Sequence, residues 1–274
     1  MENKELYRLI DLPDEIIVRL CEYESKRSVT VSDELKDRLL RRDSWSEGIK
    51  ELEALVGDDP DGIKIMWELI ELVCKYSYGE YRAKGISDKI FLDTMYFFTR
   101  SLKEHYSANG RYAFKLAWWF PRLLSLNEFR IGALAYEFIS DKGEISLHIH
   151  SDGSIKREDM LASLREFCLF RKEFFPEWID ARISCHTWML APAMAELLDE
   201  GSRLRAFMDM FDIVKTDPDA TWFMGYVFPG HNEVSESLPE ETSLQRRMKK
   251  HLLDGKKVGA ATGYLKKTYY GDRL

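Results

Sequence analysis

Two histidines lie one residue apart in the segment ISLHIHSDGSIKREDM, residues 145–160. The first part of this segment predicts a strand, and because side chains alternate along a strand, His148 and His150 share one face of it. Such a pair can ligate a metal ion, move a proton as a general base, or form packing and hydrogen-bonding contacts within the fold. A glycine and a predicted helix follow, so the pair lies at a strand-to-helix junction.

The rest of the sequence gives a metal site little support. Metal-dependent barrel hydrolases use a His-x-His pair, but their fold needs about 250 residues of alternating strands and helices, which this half-helical chain cannot supply. No HExxH motif is present, and the four cysteines form no CxxC pair or zinc-like spacing. We therefore expect no bound metal and reduced cysteines.

The turn after the strand and the start of the next helix have features of a phosphate site. A helix N-terminus presents free backbone N–H groups, Gly153 would let the main chain approach closely, and Lys156 and Arg157 add positive charge. Glu158 and Asp159 favour the alternative, an ordinary helix start, because they can satisfy the helix terminus themselves. The residues alone leave both interpretations open.

Three further groups could take part in acid–base or nucleophilic chemistry. Cys185 precedes His186, but consecutive strand residues point to opposite faces, so His186 cannot readily activate its neighbour, although a histidine from another strand could. We expect a buried, unreactive thiol at Cys185. Glu137 and Tyr226 are candidates for proton transfer, without a motif that singles them out.

Helical patterns fill the first 125 residues. They predict four helices, which begin at Pro13, near Ile63, after a Ser87 cap and near Gly110. The fourth, GRYAFKLAWWFPRLL, is predicted to end or kink before Pro121. We therefore expect a helical N-terminal domain over residues 1–125.

After residue 126 the pattern alternates between strands and helices. It predicts strands over 128–139 and 143–150, a helix over 156–174, a strand over 181–190, a short helix over 192–201, strands in FMDMFDIVKT and TWFMGYVF, and a last helix with a capping box at Thr242 and Gln245. The segment GKKVGAATGYLKK is compatible with a strand or a loop. This order predicts an α+β domain over residues 126–274, with parallel strands wherever a helix crosses over.

The composition is that of a folded protein without membrane spans. Hydrophobic residues make up 45% and charged residues 32% of the 274 residues. The net charge of −7 disfavours an extended nucleic-acid surface, although the tail from Glu240 onward is basic and could contact phosphates. No apolar run reaches the ~20 residues of a bilayer span and the N-terminus lacks the apolar core of a signal peptide, so we expect a cytoplasmic protein.

Four segments resemble a bacterial family in which a helical N-acyltransferase N-terminal domain precedes a GNAT-like C-terminal domain. They are KLAWWFPRLL (115–124), LHIHSDGSI (147–155), CHTWMLAPAMAELL (185–198) and LPEETSLQRRMKKHLLDGKKVGAATGYL (238–265). The resemblance implies an all-helical N-terminal domain followed by a GNAT-like mixed sheet flanked by helices. It also implies direct transfer of an acyl group, with acetyl as the first expectation, from acyl-CoA to an amine acceptor.

The resemblance also implies positions for the acyl-CoA site. The strand contributes Leu147, His148 and Ile149, and the turn contributes Asp152, Gly153 and Ser154, with the charge of Lys156 beside them. From face and placement in the sequence, the expected base is His150 or Glu137, and the expected acid is Tyr226. The expected co-substrate is acetyl-CoA or another acyl-CoA, without a metal.

The sequence departs from the family pattern at the phosphate loop. The GNAT signature, Gln or Arg followed by x-x-Gly-x-Gly or Ala, is absent, and only Gly153 stands in the loop. A non-catalytic GNAT-like protein that binds a ligand or a partner is therefore the alternative function. The sequence leaves the acceptor, the oligomeric state and the role of the helical half open.

Overall fold

A computed structural model describes residues 1–270 of the chain. These residues form two compact units, one comprising Met1–Ile131 and one beginning at Gly132. The first is helical and the second combines a sheet with helices, so the predicted α+β class is confirmed. The predicted domain division between residues 125 and 126 stays a prediction.

The first unit consists of short helices joined by turns. They are α1 (Asn3–Leu9), α2 (Asp14–Lys26), α3 (Asp33–Leu40), α4 (Trp45–Val56), α5 (Ile63–Leu72), α6 (Tyr78–Lys84), α7 (Asp88–Met95), α8 (Phe97–Asn109) and α9 (Pro121–Leu124). A strand, β1 (Glu128–Ile131), ends the unit.

Three of the four predicted helices are present, although two are interrupted. The helix that starts near Ile63 becomes a π-helical turn at Val73–Ser77 and then continues as α6. The helix after Ser87 has the expected cap, since Ser87 Oγ accepts a hydrogen bond from the N–H of Ile90 at 3.4 Å, but the helix breaks at Tyr96.

The fourth predicted helix is wrong over most of its length. Only a 3₁₀ turn at Ala117–Trp119 and α9 are helical in that segment. The backbone before them makes a long-range hydrogen bond instead of helical ones, because the N–H of Phe114 donates to the carbonyl of Asp61 at 2.8 Å. Pro121 is the first residue of α9, where its missing N–H costs no hydrogen bond.

The second unit contains a mixed sheet whose strands follow the order β2-β3-β4-β6-β5. The strands are β2 (Leu134–Ile139), β3 (Glu144–Ile149), β4 (Arg182–Thr187), β5 (Phe211–Asp217) and β6 (Ala260–Leu265), and the helices are α10 (Arg157–Phe174), α11 (Met194–Leu197), α12 (Arg203–Met208), α13 (Met224–Val227) and α14 (Ser243–Leu253). The hairpin β2–β3 is antiparallel as predicted. Strands β3 and β4 are parallel because α10 crosses over between them.

Two strand predictions need correction. Residues 128–139 form two strands, β1 and β2, because the chain turns at Gly132, whose φ is 61°. The segment TWFMGYVF contains the short helix α13 instead of a strand, and its buried residues Phe223, Met224, Val227 and Phe228 follow helical spacing. The last strand is β6, in GKKVGAATGYLKK, where Gly263 lies against Phe211 of β5.

Helix α10 covers one face of the β2–β3 hairpin. The ring of Tyr136 stacks on Phe167 of α10 with centroids 3.8 Å apart, and Phe138 contacts the same ring. Because side chains alternate, Glu137 and His148 lie on the opposite face. The packing of α10 therefore fixes which strand residues are available to the candidate site.

No helix within residues 1–270 is both long and apolar enough to cross a membrane.

Candidate functional site

A cavity opens where the parallel strands β3 and β4 separate. Their pairing covers only Glu144–Ser146 against Arg182–Ser184, although both strands continue for three more residues. The space beyond has a volume of about 340 Å³. Its walls are formed by Leu147, His148, Ile149, His150, Ser151, Gly153, Ile155, Cys185, His186, Thr187, Trp188, Met189, Trp222 and Tyr226.

A buried carboxylate holds one of the two histidines. His148 Nε2 lies 3.1 Å from Oε2 of Glu137, whose side chain is only 4% exposed. The two residues are diagonal neighbours across the hairpin, since Ala135 pairs with His148 and Glu137 with Ser146. The carboxylate therefore sets the orientation of an imidazole that lines the cavity.

The structure brings most of the predicted site residues together. Leu147, His148, Ile149, His150, Gly153 and Tyr226 all line the cavity. Glu137 lies behind His148 instead of in the wall, and its role as one of the two expected bases stays a prediction. Asp152, Ser154 and Lys156 belong to the adjoining turn and do not line the cavity.

The start of α10 adjoins the cavity through Ile155. Lys156 is the N-cap residue, and its side chain makes no capping hydrogen bond, whereas Ser32, Ser87, Ser202 and Thr242 cap the helices that follow them. The N–H groups and the dipole at a helix N-terminus attract anions, although Glu158 and Asp159 lie in the first turn of α10.

The close packing of the turn explains why position 153 is a glycine, and the sequence alone did not reveal this packing. A Cβ at this position would lie 2.7 Å from the carbonyl oxygen of Ala133 and 3.0 Å from that of His150. Its N–H already donates to the His150 carbonyl at 2.9 Å. The glycine thus permits close packing of the turn on its own chain, and the approach of a phosphate is not needed to explain it.

Sequence reasoning overlooked His186 as a cavity residue. It projects from the end of β4, and its Nδ1 lies 3.0 Å from the hydroxyl of Thr262 on β6. Its neighbour Cys185 is buried as expected, and desolvation raises the pKa of that thiol to about 12. Cys185 is therefore a poor nucleophile. The sequence did contain a signal for His186: the predicted helix between β3 and β4 makes these strands parallel, and their ends, including His186, then lie at the same edge of the sheet.

Two exposed aromatic side chains form the outer edge of the cavity. Trp222 is 41% exposed and Tyr226 is 62% exposed, and their rings meet edge to face with centroids 5.9 Å apart. The ring of His186 lies 6.0 Å from that of Trp222. We call Trp222 and Tyr226 the aromatic lip. Trp222 was not predicted, because its segment was taken for a strand.

The basic tail makes contacts within its own unit. Arg247 bonds both oxygens of Asp199, Lys249 reaches Glu240 and two carbonyl oxygens, and Lys257 pairs with Asp219. These contacts agree with a structural and solvated face better than with a phosphate site. Arg273, also part of the predicted basic tail, lies outside the described residues.

Fold and site together define an acyltransferase-like α+β protein with a cleft between diverging parallel strands. Residues 1–126 match the N-acyltransferase N-terminal domain and residues 128–265 match the GNAT-like C-terminal domain. The chain therefore belongs to the family that combines these two domains, and the resemblance seen in the sequence is confirmed. No curated protein sequence matches this chain.

Several solved structures share the fold. A crystal structure of an acyltransferase in complex with decanoyl-CoA and teicoplanin has a TM-score of 0.69 and 18% identity, over 97% of this chain and 99% of that chain. A complex with CoA and 10C-teicoplanin has a TM-score of 0.70 at the same identity and coverage. A mutant acyltransferase in complex with octanoyl-CoA has a TM-score of 0.65, also at 18% identity, with 97% and 99% coverage.

Proposed function

We propose that this protein transfers an acyl group from acyl-CoA to an amine. The observation that carries the proposal is His148 on the wall of the cavity between β3 and β4, with its Nε2 3.1 Å from the buried carboxylate of Glu137 behind it. An imidazole fixed by a buried carboxylate is an arrangement suited to a general base. Membership of the acyltransferase family supports the same reaction class.

In this proposal the thioester enters along the end of β3. The strand pairing with β4 stops at Ser146, so the backbone of residues 147–149 can pair with the pantetheine arm. The pyrophosphate then lies at the start of α10, where Lys156 and Arg157 supply positive charge. Both basic side chains are exposed and can reach a ligand from the solvent side.

The chemical step needs one proton to be removed and one to be returned. The amine nitrogen attacks the thioester carbonyl, His148 takes an amine proton, and the carbon–nitrogen bond forms as the carbon–sulfur bond breaks. The leaving thiolate receives a proton either from the imidazolium or from Tyr226, whose phenolate then regains the proton held by the imidazolium, giving an amide and free CoA. Glu137 stabilises the imidazolium that forms in between.

The proposed acyl group is a medium-length chain rather than acetyl. Structures with the same fold hold decanoyl-CoA and octanoyl-CoA. The β4 side of this cavity carries Trp188, Met189 and the aromatic lip, which suit a hydrocarbon chain. The proposed acceptor is an amine on a larger molecule, and teicoplanin, bound by one structural relative, is the first probe.

The test has two stages. The protein is first titrated with free CoA and decanoyl-CoA at two salt concentrations, and release of the CoA thiol is then followed with decanoyl-CoA and teicoplanin. Lys156→Glu should weaken CoA binding by about fivefold or more at low salt, since it reverses a charge beside the phosphates. Lys172→Glu, the same change at the other end of α10, is the matched control. If neither CoA form binds, the proposal is wrong.

Binding without transfer is the second candidate. It is favoured by the absence of the GNAT phosphate signature, since the one glycine of the loop, Gly153, packs against the chain's own carbonyl oxygens. In that case CoA binds but no thiol is released with any amine acceptor. The background rate of thiol release is then the same for His148→Ala and for the unsubstituted protein.

A further inference from the structure

The two sides of the cavity differ in chemistry. The β3 side carries His148, His150 and the turn that leads to α10, with Leu147 and Ile149 beside the histidines. The opposite side carries the larger apolar surfaces, those of Trp188, Met189 and the aromatic lip, with the ring of His186 6.0 Å from that of Trp222. A thioester that extends its pantetheine along β3 would therefore direct its acyl chain toward these aromatic side chains.

From this geometry we infer that the aromatic lip covers the far part of the acyl chain and sets the chain length that the protein prefers. The inference rests on the proposed function, because it assigns a role to residues around the same cavity. Each methylene that becomes fully buried strengthens binding by about fourfold. An exposed Trp and Tyr gain the most from such a chain, since hydrocarbon would cover faces that water now contacts.

A side chain of α14 binds the end of the helix that carries Tyr226 of the lip. Gln245 Nε2 donates to the carbonyl of Val227 at 2.9 Å, at the end of the short helix α13 that carries Tyr226. The same amide accepts through Oε1 from the N–H of Thr242 at 2.9 Å and completes the capping box. Gln245 thus serves both as a cap residue and as a positioning residue for the lip.

The first experiment measures binding of free CoA, acetyl-CoA, octanoyl-CoA and decanoyl-CoA by calorimetry. In the unsubstituted protein the affinity should rise at least tenfold from acetyl-CoA to decanoyl-CoA. Trp222→Ala should remove most of that rise and leave free CoA within about twofold. Leu169→Ala removes a 67% exposed apolar side chain on α10 that does not line the cavity, and it should leave the rise unchanged.

Tyr226 needs a variant that separates its ring from its hydroxyl. Tyr226→Phe keeps the apolar ring of the lip, so the dependence of affinity on chain length should persist. A fall in turnover in this variant belongs to proton transfer and does not bear on the lip.

Two variants at the start of α14 separate the two roles of Gln245, the hydrogen bond to Val227 and the capping of α14. Gln245→Glu keeps an oxygen that accepts from the N–H of Thr242 but loses the donor to Val227, so chain-length preference should fall about threefold or more. Thr242→Ala removes the Thr242 hydroxyl from the cap but keeps the Gln245–Val227 bond. It should lower thermal stability and leave chain-length preference intact.

Three outcomes would overturn the inference. Equal affinity for all acyl-CoAs in the unsubstituted protein removes the role of the lip while the proposed function stands. An unchanged chain-length preference in Trp222→Ala, with a raised KM for the amine, would assign the lip to the acceptor. Failure of every CoA form to bind removes the proposed function and this inference with it.

Discussion

At the scale of single residues, the site depends on how one carboxylate is buried. Glu137 lies on β2 with its side chain 4% exposed, and His148 is the imidazole it contacts. A buried carboxylate is stable only with partners that satisfy its charge, and the imidazole of His148 is one such partner. Both histidines of the opening motif line the cavity, but the contact of His148 with Glu137 could not be predicted from their spacing alone.

Removal of this imidazole should slow the reaction strongly. We expect His148→Ala to lower kcat by about a hundredfold or more, because a positioned general base contributes that much. Added imidazole should restore part of the rate, which a purely structural loss would not allow. His150→Ala removes the other imidazole of the β3 side of the cavity and is the comparison variant. A larger fall in His150→Ala than in His148→Ala would show that the base is His150.

The thiol of Cys185 should resist modification in the folded protein. Burial raises its pKa to about 12, so little thiolate is present at pH 8. We expect mass spectrometry to find Cys185 unmodified after iodoacetamide treatment under native conditions and fully modified after unfolding. Cys21, which is partly exposed, provides the internal control. Rapid native labelling of Cys185 would contradict the desolvated environment.

At the scale of elements, the sequence correctly predicted those segments in which the hydrophobic periodicity and the signals at the segment ends indicate the same structure. The 156–174 prediction matches α10, the Thr242–Gln245 capping box is present, and the β2–β3 hairpin forms. These segments have periodicity and end signals that point to one structure. The prediction for the segment around Trp222 was wrong because a short aromatic run fits either a strand or a helix. Only the positions that are buried in the fold distinguish the two.

One polar network joins three strands of the sheet and offers a test of their register. Tyr264 of β6 donates to Glu144 of β3 at 2.5 Å, and Arg182 of β4 contacts both residues at 3.1 Å. The hydrogen bond to Glu144 and then burial raise the pKa of Tyr264. Tyr264→Phe should lower the free energy of unfolding by about 1 kcal/mol at pH 7.

The pH dependence of that difference is specific. A raised pKa means that the native state favours the neutral phenol, so its contribution is present below pH ~10 and is lost as the pH rises further. The two proteins should therefore keep their difference in stability, measured by urea unfolding, below pH ~10 and converge as the pH rises above that value. An equal gap at all pH values would argue that the variant acts only through packing.

At the scale of the whole molecule, the site joins segments that are far apart in the sequence. The cavity combines residues 147–155, 185–189 and 222–226. The sequence predicted the first segment and the parallel crossover that relates it to the second. It named Tyr226 in the third segment but not Trp222 or the helix α13. The position of α13 depends on contacts such as Gln245 with Val227, which join residues 18 positions apart without a local pattern.

The division into two units predicts that a fault in the helical unit leaves the cavity intact. Glu68 is 1% exposed and receives two hydrogen bonds from Arg27, at 2.7 and 2.9 Å, and one from Tyr23 at 2.8 Å. Arg27→Ala strands that carboxylate, so the free energy of unfolding should fall by about 3 kcal/mol. Lys89→Ala breaks an exposed pair with Asp93 and should change it by less than about 0.5 kcal/mol.

The same Arg27→Ala protein then tests where CoA binds. All residues that line the cavity belong to the unit that begins at Gly132, so free CoA should bind this variant within about twofold of the unsubstituted protein at a temperature where both are folded. Calorimetric titration beside a urea unfolding curve measures both quantities on one sample. A tenfold loss of CoA affinity in folded Arg27→Ala would mean that the helical unit contributes to the binding site.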